Sequence, residues 1–385
     1  MMKKILLKGL SYVLVAALAS SVTLAIWGQR YSKIEELKDV IDQYFIGDAD
    51  MTKAEDAAAS AMIDALGDRW SYYISAEEYA SYMENKNNAY VGIGITIVVR
   101  EDGTGEDIIE VKPGSSAQEA GILPGDTLIK VNGTSIAGMD TDQVAALVRG
   151  EEGTSLTVTV LRDGAEKDFT LKRQTIQVQV ATGELLEGNI GLIKIANFNT
   201  NCAKETIAAI EELQKQGANK LIFDVRNNPG GYVNEMLKVL NYLLPEGVLY
   251  RDLDCYGNEG EKRSDAACLE LPMAVLVNGN SYSAAEFFAA CLQEKQWATV
   301  VGEKTTGKGH YQNTIQLEDG SAVNLSTGKY FTPNGINLTE TGGIVPDVIE
   351  TVDKETAALI YAGTVPAAED AQIQAAVKYL QENKG

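Results

Sequence analysis

Apolar and polar positions divide the chain into three regimes. Between 31 and 88, Ile34, Leu37, Val40, Ile41 and Tyr44 recur at helical spacing. An Ala-rich helical segment over 53–66 follows; Asp68-Arg69-Trp70-Ser71-Tyr72-Tyr73 interrupts it, and 76–85 resumes the pattern. From 90 to about 178 the signal is that of short strands between glycine turns. Strands are predicted to begin at Tyr90-Val91-Gly92-Ile93-Gly94-Ile95 and over 107–111, 127–131, 156–161 and 168–171, with short helices over 117–120 and 141–148. From Ile176 onward, strand and helix alternate. Strands are predicted over 190–196, 221–225, 274–277 and 299–301, helices up to Leu213 and over 232–244, and an amphipathic helix over 367–383 closes the chain. The fold class is α/β, with a β-rich unit and a helical region preceding the core. An outlying hairpin is expected from 248–255 and 262–271.

The densest candidate chemistry lies between Met273 and Gln312. Asn278, Gly279 and Asn280 break an apolar strand, and Ser281-Tyr282-Ser283-Ala284-Ala285-Glu286 opens a helical pattern. A serine at a strand-to-helix junction exposes its hydroxyl at the sheet edge, where the helix start offers unpaired N–H groups. Upstream, the strand ending at Val225 runs into Arg226-Asn227-Asn228-Pro229-Gly230-Gly231 and then a helix. That arrangement makes an anion site from free backbone N–H groups, and it is not a P-loop, since no Gly-Lys-Ser/Thr follows.

Ser283 lies 25 positions before Lys308, and Lys308 lies 4 before Gln312. With these blocks the chain resembles the carboxyl-terminal processing proteases, or tail-specific proteases, which are serine proteases with a Ser–Lys pair and an internal PDZ domain. The resemblance covers essentially everything after residue 30. It implies a crotonase-like or ClpP-like sheet-and-helix core with an inserted PDZ domain. Ser283 is then the nucleophile, Lys308 in Gly307-Lys308-Gly309 the base, and Gln312 the third member. Ala284 with Gly230 or Gly231 supplies the oxyanion hole. Tyr282 replaces a small residue of the family block and Ala285 its last serine; neither change removes a group the mechanism needs, and Tyr282 narrows the site. The loop Val91, Gly92, Ile93, Gly94 matches the one that in PDZ domains receives a peptide's terminal carboxylate while the peptide adds to a sheet edge. The domains implied are 1–30 as membrane anchor or signal, 31–88 helical, 89–178 PDZ, 179–355 protease core and 356–385 helical. In the family a block like 31–88 helps in dimerisation, so a homodimer is a candidate state.

Lysine acts as a base only when neutral, against an ordinary pKa of about 10.4, which burial in an apolar site lowers. Flanking glycines keep the amine uncrowded, and Gln312 can orient it without adding charge. The chain's single histidine, His310, would share a face with Lys308 and Gln312 in an extended segment, so a histidine base is the rival assignment. Asp224 and Arg226 read as a structural polar pair. No metal or organic cofactor is implied. An acyl enzyme of the crotonase type and an anchored PDZ adaptor with a silent protease domain are the competing functions.

Charge and targeting complete the reading. A net charge of -21 offers no basic stripe for nucleic acid. Lys3, Lys4 and Lys8 precede an apolar run over 9–27, followed by Arg30; roughly 20 such residues span a bilayer. The run continues past Ala17-Leu18-Ala19, a signal-peptidase-like site, so an uncleaved anchor is expected. The basic start then stays cytoplasmic and the rest lies outside. In such a compartment Cys255 and Cys268, flanking the expected hairpin, have the option of pairing, whereas Cys291 reads as helix core.

Overall fold

The structure, a computed structural model, describes residues 33–382. The apolar run over 9–27 lies outside them, and no helix among the described residues is long and apolar enough to cross a membrane. The chain divides into two compact units between Tyr73 and Ile74. The described part of the first holds a helix over 33–44 and the helix Met51–Asp64. Asp50 caps the latter by accepting from Lys53 N, and the Lys38–Glu55 ion pair (2.6 Å) joins the two helices.

The second unit opens with helix Ala76–Asn87, started by a capping box in which Ser75 and Glu78 bond each other's backbone N–H. A β-sheet follows, ordered Ile95–Val99, Glu106–Val111, Thr127–Val131, Ser155–Arg162, Ala165–Lys172. The strand expected to begin at Tyr90 is in fact two. Ala89–Gly92 pairs with Gln174–Gln177, the chain turns at Gly94 (φ +80°), and Ile95–Val99 pairs with Glu106–Val111. A side chain at position 94 would overlap Ser115, so glycine is required there. Ile93, Ile108, Leu128, Val144, Val158 and Leu171 are among the residues of a core that this sheet shares with helix Thr141–Val148.

The remaining chain builds a largely parallel sheet in the order Ala181–Leu186, Ile190–Ile195, Lys220–Asp224, Met273–Val277, Ala298–Gly302, Val348–Ile349. Only the first strand runs antiparallel to its neighbour. The apolar strand runs follow from coverage on both faces. Phe223, Val225, Val275 and Val277 pack with residues of helices Cys202–Lys215, Val233–Leu243 and Ala284–Glu294 in one core. Ile222, Ala274 and Leu276 join Ile373, Ala376 and Leu380 of the C-terminal helix Ala371–Glu382 in another. Beside this lies an antiparallel arrangement in which Glu259–Ser264 pairs Gly247–Asp254, which pairs Ala322–Phe331, which pairs His310–Gln316.

The hairpin's second strand ends at Ser264, short of the expected 271. Asp265 is held by Asn241, through N to Oδ1 (2.8 Å) and Oδ2 to Nδ2 (3.0 Å), and this pulls the chain off the sheet. Cys255 therefore sits by the hairpin turn, while Cys268 lies beyond the opposite end, next to Leu269, whose N–H donates to Leu243 O. Both are free thiols, so the pairing option is not taken up. Cys291 is buried in the helix core, as expected, and burial pushes its thiol pKa well up.

Candidate active site

Two loops at the ends of adjacent strands are stitched together by asparagines. Asn278 Oδ1 accepts from Asn227 N (2.9 Å) and its Nδ2 donates to Asn227 Oδ1 (2.9 Å). The buried Asn228 donates to Ile195 O (2.8 Å), and its backbone O accepts from Tyr282 N (3.2 Å). Ser281 is wholly buried in the turn between strand and helix. Its hydroxyl donates to Val225 O (2.8 Å) and accepts from Asn278 N (3.0 Å).

Ser283 occupies the N-cap of helix Ala284–Glu294, but its side chain does not cap it. Its backbone is at φ +58°, ψ −126°, a region that non-glycine residues avoid and that costs roughly 1–3 kcal/mol. The surroundings maintain that conformation, and it frees the hydroxyl from the helix. Gly230 (φ +87°) packs directly on this elbow; a Cβ there would lie 2.8 Å from both Ala284 N and Ser283 Cβ. The Gly230 N–H is already committed to Asn228 Oδ1 (2.8 Å). Gly231 and Ala284 donate no N–H bond within the described residues.

Glu286 lies three residues after Ser283, fully buried. Its carboxylate accepts from Gly307 N (2.7 Å), Lys308 N (2.9 Å) and Thr305 Oγ1, and it is also bonded to the Ser283 backbone. Burial pushes its pKa up, against the pull of these donors. One carboxylate thus ties the elbow to the lysine segment. Ser283-x-x-Glu286 has the form of a capping box, so that tie was legible as a local signal.

Lys308 is 8 % exposed, with Nζ 5.8 Å from the centre of the Tyr282 ring, and its backbone oxygen accepts from the Tyr330 hydroxyl. It lies just before strand His310–Gln316. Its flanking glycines answer to close contacts with neighbouring segments. A side chain at Gly307 (φ +86°) would strike Gly342 and Gly343, and one at Gly309 would strike Asn337. Of the three residues expected to share a face, His310 and Gln312 lie in strand His310–Gln316 and Lys308 precedes it; the register shift opposite Tyr311 and Gln312 places its extra residue, Thr327, on the partner strand. Gln312 Nε2 donates to His310 O (3.1 Å) and Ser326 Oγ (3.0 Å). His310 Nδ1 lies 3.4 Å from Thr339 Oγ1.

Asp224 and Arg226 form the expected polar pair, and two partners come from the far end of the chain. Arg226 bonds Asp224 (2.7 Å), Asp370 (2.8 Å) and Gln372 Oε1 (2.8 Å), all buried. Burial opposes the guanidinium's charge, but the two carboxylates prevail and hold its pKa up. The network anchors the base of the Gly230–Gly231 loop to the C-terminal helix.

A serine elbow on an α/β core, preceded by a small β-domain with an open edge strand, defines a serine-type peptidase carrying a PDZ domain. Comparison with known proteins agrees: the model for peptidase family S41 matches residues 189–350, and that for PDZ domains matches 108–162. The chain is 34% identical to the carboxy-terminal processing protease CtpA of Bacillus subtilis over 342 residues, which covers 84% of this chain and 72% of that protein. It is also 34% identical to a "Probable CtpA-like serine protease" of Staphylococcus aureus, spanning 84% of this chain and 64% of that one. Among solved structures, a "Putative S41 protease" from Bacteroides fragilis aligns with TM-score 0.51 at 17% identity, over 85% of this chain and 90% of that one. The photosystem II D1 C-terminal processing protease aligns with TM-score 0.47 at 27% identity, over 83% and 87%. The chain belongs to the S41 family of carboxy-terminal processing peptidases. Membership selects the peptidase over the crotonase-type acyl enzyme and the silent adaptor.

Proposed function

We propose that this protein is a membrane-anchored, extracytoplasmic endopeptidase that cleaves the C-terminal regions of proteins through Ser283 and Lys308. The observation that carries the reading is the Glu286 carboxylate, which binds the backbone of both residues. Ser283 Oγ attacks the scissile carbonyl and its proton passes to Lys308 Nζ. The same proton then leaves with the amine as the C–N bond breaks, and water resolves the acyl-enzyme. Ala284 N–H is one oxyanion donor. Of the two glycines, Gly231 has the uncommitted N–H, whereas Gly230 contributes space, since a side chain there would fill the room before Ala284 N. Gln312 orients the lysine amine from the neighbouring strand.

The PDZ domain recognises the substrate tail. Ile95–Val99 is the terminal strand of its sheet, open for an added strand. The Val91–Gly94 turn leads into it, and the N–H groups of Ile93 and Gly94 bond nothing within the described residues. Because hydrogen bonds to a charged group contribute about 1.5–3 kcal/mol, amidating a substrate peptide's C-terminus should cost roughly tenfold in kcat/KM. Equal cleavage of acid and amide by the full-length protein would sink tail recognition.

The anchor reading rests on the apolar run over 9–27 between Lys8 and Arg30. Protease added to intact cells or protoplasts should then digest the PDZ domain. A chain recovered wholly soluble in the cytoplasm would overturn it.

A further inference from the structure

Tyr330 is buried among aromatic side chains, edge-on to Phe287 (5.3 Å between ring centres) and 6.1 Å from Tyr250. Its backbone is fixed beside the lysine segment. Tyr330 N donates to Gly309 O (3.1 Å), and Asn337 Nδ2 donates to both Tyr330 O (2.9 Å) and Gly309 O (2.8 Å). The ring packing against Phe287 would be met equally by a phenylalanine, so packing alone asks for no hydroxyl at 330. A buried hydroxyl without partners costs about 1–3 kcal/mol. This one donates to Lys308 O, and the same oxygen faces the Ser283 hydroxyl, so both of its polar neighbours belong to the reacting pair. A phenol carries one proton. With that proton on the Lys308 carbonyl, its oxygen is left to accept from Ser283.

We propose that Tyr330 is a positioning residue for the hydrolysis: its single phenolic oxygen bridges the backbone of Lys308 to the hydroxyl of Ser283 and sets their separation. This rests on the Ser283–Lys308 reading above. The role is geometric. During attack the serine proton goes to Lys308 Nζ, and the tyrosine proton stays on the Lys308 carbonyl. Glu286 clasps the two backbones, whereas Tyr330 acts on the serine side chain, whose rotation Glu286 leaves free.

The test compares Y330F with Y250F, S283A and K308A in the full-length protein. Two rates are read: peptide hydrolysis, and phosphonylation of Ser283 by a small fluorophosphonate, which needs the nucleophile but no peptide site. Misplacing reacting atoms by about an ångström costs up to roughly a hundredfold. Y330F should therefore lose roughly tenfold to a hundredfold in kcat and in labelling rate alike, with KM nearly unchanged. Y250F, in the same aromatic cluster, should keep both rates. If the hydroxyl only satisfies the Lys308 carbonyl, Y330F will be less stable yet label and turn over like the parent, and the proposal is overturned. Should Y330F fail to fold, 3-fluorotyrosine at 330 keeps the hydroxyl and shape but weakens the oxygen as an acceptor. A lowered kcat supports the bridge and an unchanged kcat overturns it. Active S283A or K308A would instead break the underlying Ser283–Lys308 reading, whatever Y330F does.

Discussion

Ser283→Ala should abolish peptide hydrolysis, a loss of roughly 10⁴-fold or more, while leaving the protein folded. The hydroxyl makes no capping bond to the helix it precedes, so its removal costs the helix nothing. The unusual backbone at 283 is imposed by the strand end, the packed Gly230 and the Glu286 clasp, none of which depends on Oγ. Ser281→Ala should show the opposite balance. Its hydroxyl serves two backbone groups: Asn278 N loses its acceptor, at a cost of about 1–3 kcal/mol, and Val225 O keeps only its bond from Asn228 N (3.3 Å). Stability in denaturant should fall measurably, while turnover per folded molecule stays within the same order. Peptide cleavage and urea titration of the two variants together decide the matter. An inactive Ser281→Ala beside an active Ser283→Ala would mean that the turn serine is the nucleophile.

Much of this site was legible because its signals are local. The run Ala274–Val277 reads as a doubly covered strand, and the structure covers both faces. The turn at Asn278–Asn280 and the helix after it follow from composition, and Thr141–Val148 appears at its expected bounds. What escaped was the partner that each local feature meets. Nothing near Arg226 announces that Asp370 and Gln372 return from the C-terminal helix to satisfy it. Nothing near Lys308 points to Tyr330, and its flanking glycines invite an explanation through the amine when close contacts with the Asn337 side chain and the Gly342 backbone require them. The face expected for Lys308, His310 and Gln312 assumed one extended segment, whereas the strand begins only at His310. The disulfide option failed likewise: sequence placed Cys255 and Cys268 on a hairpin, but the early exit at Ser264 put them at opposite ends. Edge strands too short to carry a periodic signal, such as Val348–Ile349, were also invisible.

Lys308→Ala and Lys308→Arg should both be inactive, and the arginine variant is the sharper test. A guanidinium remains charged at any working pH, so it can donate hydrogen bonds in that place but cannot accept the serine proton. If Lys308 only neutralised charge or filled space, arginine would retain part of the rate; as a base it retains none. The sign of the pH dependence follows from the same requirement. An amine must lose its proton to act, so the active fraction grows as pH rises, and kcat/KM should climb along one acidic limb that reports the free enzyme's base. His310→Ala should keep most of the activity and the same limb, since the imidazole's neighbour is Thr339. Gln312→Ala should be milder than either lysine variant: it removes the bond to Ser326 and loosens the strand beside the base, but leaves the amine in place. Steady-state kinetics across pH on these variants separates the outcomes. Turnover by Lys308→Arg, or loss of the limb in His310→Ala, would transfer the base from the lysine to the histidine. The limb's persistence in His310→Ala, together with loss of turnover in both lysine variants, would assign it to Lys308.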